Sequence, residues 1–101
     1  MSDHGLYVQH IRFKIDNIDE MRKMVKEMLG GYDAEAAPGK PTSSILADRD
    51  NPGRYVISVA FSSYEEAAKN NDRPETQEFA ARMQELCSDI TWGNYDLIAE
   101  H

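Results

Sequence analysis

Cysteine is nearly missing from this chain, which carries only Cys87. An intramolecular disulfide is therefore excluded, and so is a metal site built from thiols alone. Apolar runs never exceed a few residues, so no segment is expected to span a membrane. Asp3 and His4 stand where the apolar run of a leader would begin, and a cytoplasmic location is the expectation. Positive charge is also scarce, with 11 Lys and Arg against 18 Asp and Glu and a formal net charge of −7. Nucleic acid is thus not an expected partner, because affinity for phosphate backbones comes from clustered Lys and Arg. Anionic membrane surfaces would repel such a chain for the same reason.

What is present reads as one domain over residues 1–101. A chain of this size hides about 65% of its unfolded surface, enough for one core. Leu6 to Ile15 (LYVQHIRFKI) alternates as a strand, with Tyr7, Ile11, Phe13 and Ile15 on one face and Gln9 as the polar exception. Asn17 opens a helix with Glu20 at capping-box spacing, and Met21, Met24, Val25 and Met28 repeat at helical intervals. Gly30-Gly31 is its expected stop, and Tyr32 to Pro41 reads as a loop. Thr42 to Arg49 is a weaker strand, expected at an edge. Asp50-Asn51-Pro52-Gly53 is turn chemistry that should return the chain as a hairpin.

Arg54 to Ser62 (RYVISVAFS) is the strongest strand, apolar or small on both faces, as in strands covered on both sides. Ser63 caps the next helix, Asn70-Asn71-Asp72 interrupts it, and Pro74 restarts it where a missing N–H is harmless. Phe79, Met83, Leu86 and Cys87 form its apolar stripe. Thr91 to Glu100 reads as the last strand, with Tyr95, Leu97 and Ala99 facing the core and Trp92, Asn94, Asp96 and Ile98 facing away.

The order is β-α-β-β-α-β with a split second helix: an α+β, ferredoxin-like fold whose four-stranded antiparallel sheet carries its helices on one face. The other face would bear Val8, His10, Val56, Ser58, Ala60, Trp92 and Ile98, mixed with Arg12, Asn94 and Asp96. Apolar surface of that extent usually marks an interface, and a homodimer joined through the sheet face is the expected remedy.

The N-P-G-R-Y turn, the V-x-F-x-S-Y-E-E-A strand-to-cap junction and the R-P-E-T-Q-E-F helix start resemble the antibiotic biosynthesis monooxygenase-like family. The resemblance runs from Leu6 to Glu100. It implies a dimeric α/β barrel with a pocket between sheet and helices in each subunit. It also implies an oxidoreductase, a monooxygenase acting without cofactor on a small hydrophobic or aromatic molecule. The alternative within the same family is a non-catalytic small-molecule binder or stress-related dimer. Relatives that degrade heme resemble one another in an Asn on the first strand, a Trp near the pocket and a His on the helix after the third strand. Residues 6–15 hold no Asn, the helix from Pro74 to Ser88 holds no His, and Trp92 stands on the last strand. Heme is therefore not expected.

His10, the one histidine inside a regular element, is either a general base or a hydrogen-bonded interface residue. No second ligand stands at metal spacing beside it, so no metal site is expected. Tyr55, Phe61, Phe79, Met83 and Tyr95 are the candidates for lining a pocket, and plain core explains the same spacing. Val8, Val56, Ala60, Trp92 and Ile98 are the candidates for the dimer interface. Cys87, at the end of a helical stripe, is expected to be inert.

Overall fold

The computed structural model describes residues 6–29 and 42–99. Four strands and three helices follow the expected order: β1 (Tyr7–Lys14), α1 (Ile18–Leu29), β2 (Thr42–Ala47), β3 (Arg54–Phe61), α2 (Tyr64–Asn71), α3 (Pro74–Leu86) and β4 (Ser88–Asp96). The sheet order is β2-β3-β1-β4, every neighbouring pair antiparallel. The expected Gly30-Gly31 stop and the loop from Tyr32 to Pro41 lie outside the described residues.

The punctuation works largely as the residue types require. Asn17 Oδ1 accepts from the Asp19 N–H at 3.1 Å, and Ser63 Oγ accepts from the Glu66 N–H at 3.2 Å. Each such cap contributes about 1 kcal/mol. The Glu66 carboxylate does not complete a capping box but turns to Lys69 Nζ at 3.3 Å. Pro74 begins α3, and Gly53 takes the positive φ of 91° that closes the hairpin. Asp48 organises that hairpin by accepting from the Asp50 N–H and from Asn51 Nδ2, both at 3.0 Å.

The core lies between the sheet and the helices. Ile11, Phe13, Ile57, Val59 and Phe61 face Met21, Met24, Val25, Met28, Phe79 and Met83, all buried. Each fully buried side chain of this size contributes about 1.5–3 kcal/mol. Leu86, expected in the α3 stripe, is instead exposed.

Two expectations fail. The sheet is open, not closed into a barrel: β2 and β4 are opposite edges, and four strands are too few to close around a packed interior. The second failure is the facing of β4. Lys14 pairs with Ser88 and Arg12 with Thr91, so Asp89 and Ile90 together stand opposite Phe13. This is a β-bulge, with Asp89 in the left-handed region at φ 52° and its carboxylate 3.1 Å from Arg54 Nη2. Beyond it Trp92 pairs with Ile11, Asn94 with Gln9 and Asp96 with Tyr7, which puts all three on the helix-facing side. Tyr95 pairs with Val8 on the open face. The strand ends at Asp96, leaving Leu97, Ile98 and Ala99 outside it, and Ile98 is 93% exposed.

Candidate functional site

Between the helix-facing side of the sheet and α2–α3 lies a cavity of about 160 Å³. Its floor is Ile11 of β1 and Ile57, Val59 and Phe61 of β3, the apolar stripes that strand alternation sends toward the helices. Met28, Phe79 and Ala80 form the roof. Gln9, the polar exception in the β1 stripe, opens into it beside Trp92 of the edge strand. Asn70, Asn71, Thr76 and Gln77 complete the wall where α2 gives way to α3. Trp92, 50% exposed, and the exposed Asn71 and Gln77 mark its mouth.

A hydrogen-bonded junction holds that wall in place. Asn70 is buried, and its Oδ1 accepts from Thr76 Oγ1 and from Arg73 Nη1, both at 3.3 Å. Arg73 Nη2 also donates to the Met28 carbonyl at 3.2 Å, so one guanidinium ties the last turn of α1 to the α2–α3 break. The Asn70-Asn71-Asp72 interruption is thus a cavity wall as well as a helix stop. The signal for this was Arg73, a cation placed beside the break and able to reach exposed helix carbonyls.

Of the five pocket candidates, Phe61 and Phe79 line this cavity and the other three lie elsewhere. Met83 is fully buried in the core and is not among the residues that line this cavity. Tyr55 stacks on Phe13, with ring centroids 6.0 Å apart. It borders a separate open groove of about 390 Å³ with Ile18, Arg22, Ile45 and Ala47. Tyr95 lies on the open face, its ring settled over Gly93, where a Cβ would meet the tyrosine hydroxyl. His10 is on the same face, 5.1 Å from the Tyr95 ring in an edge-on arrangement, and points away from the cavity. Trp92, expected in the interface, lines the cavity instead. Val8, Val56 and Ala60 do occupy the open face, joined there by Leu46 of β2.

Among the described residues none that lines the cavity is ionisable. The shifted groups all lie outside it. Burial, then the neighbouring Tyr64 and Asp96, push the Tyr7 phenol upward, so it stays protonated. Burial also raises the Cys87 thiol. Chemically, the site offers shape, apolar contact and neutral hydrogen-bonding groups (carboxamides, a hydroxyl and an indole N–H).

No protein-family model and no curated protein matches the chain. Solved structures do share its fold. A candidate antibiotic biosynthesis monooxygenase from Nitrosomonas europaea superposes with a TM-score of 0.73 at 13% identity, covering 97% of this chain and 94% of that one. A second such protein, from Deinococcus radiodurans, gives 0.73 at 12% identity, with 94% and 95% covered. SnoaB, a cofactor-independent oxygenase from Streptomyces nogalater, gives 0.70 at 15% identity, with 96% and 95% covered. At these identities the likeness establishes the fold the chain shares with them, a ferredoxin-like β-α-β-β-α-β arrangement with an open four-stranded antiparallel sheet.

Proposed function

We propose that this chain is a monooxygenase-like protein that binds a small hydrophobic, aromatic molecule in the cavity between sheet and helices and oxidises it without a cofactor. The observation that carries the reading is the cavity itself, apolar in floor and roof and edged by Trp92, on a fold shared with a cofactor-independent oxygenase. In such a reaction the substrate supplies the electrons. A ring CH₂ beside a carbonyl, or the O–H of a phenol, loses a proton to water at the mouth. The ring carbon of the resulting enolate or phenolate gives its electron pair to dioxygen, and the peroxide anion takes a proton back from water. The hydroperoxide so formed loses water, so one oxygen atom stays as a carbonyl and the other leaves as water. The protein excludes bulk solvent and offers amide and indole N–H groups to the oxygen on which charge develops.

A second reading, non-catalytic binding in the same cavity, has its own support: no described lining residue titrates, so none serves as general base. Oxygen uptake with a panel of dihydroxyarenes separates the two. Uptake that saturates with substrate and disappears in Trp92→Ala supports oxidation. Measurable binding with no uptake across the panel overturns it.

The reading includes assembly. Val8, Val56, Ala60, Leu46 and Tyr95 give the open face apolar surface beside His10, Arg12 and Ser58, and pairing two such faces about a two-fold axis would cover both.

A further inference from the structure

We propose that the cavity selects neutral aromatic molecules of one or two fused rings that carry a hydrogen-bonding oxygen, with the Gln9 carboxamide as the group that recognises the oxygen. The inference deepens the small-molecule reading above and rests on it, but not on catalysis.

Size sets the first limit. A dry apolar cavity of about 150 Å³ accepts benzene. The cavity here, about 160 Å³, encloses one ring of similar bulk, and the mouth beside Trp92 leaves room for a second. Phe79 and Met28 are packed into the core and close the inner end, so a third fused ring would have to extend past Trp92 into water and gain no cover from the cavity.

Charge sets the second. The chain is 29% charged, yet no described residue lining the cavity is ionisable. A carboxylate entering it would shed hydration and meet no cation, an exchange that favours staying in water.

Gln9 sets the third. It is the one polar side chain on the helix-facing side of β1, among Tyr7, Ile11 and Phe13. Asn70 and Thr76 spend hydrogen-bonding capacity on each other, whereas the Gln9 carboxamide makes no hydrogen bond among the described residues. A half-buried amide with an unused donor and acceptor, directed into an apolar cavity, matches a phenolic hydroxyl or a quinone carbonyl.

Equilibrium dialysis at pH 7 tests this with 1-naphthol, naphthalene, 1-naphthoate and 9-phenanthrol. The expected result is binding of 1-naphthol at least about tenfold tighter than 1-naphthoate, since each tenfold step needs only a modest energy difference, and no tighter binding of the more hydrophobic 9-phenanthrol. Gln9→Leu should weaken 1-naphthol about fivefold, as loss of one net hydrogen bond does, and leave naphthalene unchanged. Unchanged naphthalene binding also certifies that the variant is folded. Equal affinity for 1-naphthol and the carboxylate, or tighter binding of the three-ring compound, overturns the selectivity. Equal weakening of naphthol and naphthalene in Gln9→Leu overturns the role of Gln9. The binding pattern intact with no oxygen uptake removes oxidation and leaves this inference standing, whereas no binding of any probe removes it.

Discussion

Cys87 shows how far a single side chain was readable in advance. It follows α3, its N–H donating to the Met83 carbonyl at 2.9 Å, and its half-buried thiol is pushed upward in pKa by lost hydration. A thiol that holds its proton more tightly folded than unfolded favours folding below the unfolded pKa, about 8.5. That share is lost as the pH climbs through the higher folded value. Its reaction with a disulfide reagent at pH 8 should therefore be at least about tenfold slower in the native protein than in urea, because the thiolate is the attacking form. Equal rates would show the site to be open. Gln9 is the contrary case. Within the β1 stripe it read as an exception, because alternation reports which side of a sheet a residue faces and not whether that side is solid. A cavity wall and a core wall have the same period, so the space beside Gln9 was not legible from the sequence.

Short-range chemistry was the most legible at the level of elements. Caps at Asn17 and Ser63, the Pro74 restart and the Asn51-to-Gly53 turn each follow from a local need of the backbone. The hairpin also carries a pH dependence. Asn51 Nδ2 first, then the Asp50 N–H, with Arg54 adding less, hold the Asp48 carboxyl below the usual carboxylate range. A depressed folded pKa gives stability that is present above the unfolded value and is lost as the pH falls through the folded one. Comparing urea unfolding of the native chain and Asp48→Asn, the native advantage at pH 5 should shrink by pH 2.5. A constant difference would remove Asp48 from the acid limb. β4 was the least legible element. Tyr95, Leu97 and Ala99 look more apolar than Trp92, Asn94 and Asp96, but pairing with β1 decides the facing, and pairing is long-range.

At the scale of the whole molecule, the described helices all cover one side of the sheet, and on the other side Leu46 and Tyr95 are each more than two-fifths exposed. If two copies cover these faces, sedimentation at micromolar concentration will give twice the mass of 11.5 kDa, and Val56→Asp will return it to the single value. A buried, unpaired carboxylate there costs far more than a rim charge. A single-chain mass for the native protein would dispose of the assembly. Overall order and one-sided cover could be foreseen from the succession of elements. Which aromatic ring went to which side could not, because it hangs on parity. Counting back from the Lys14–Ser88 pair without the bulge, Trp92 would sit opposite His10 on the open face and Tyr95 would turn inward. The one supernumerary position at Asp89–Ile90 advances the rest of β4 by half a period. It exchanges the occupants of the two sides of the sheet, so the cavity owes its indole, and the open face its phenol, to an aspartate in a left-handed turn of backbone.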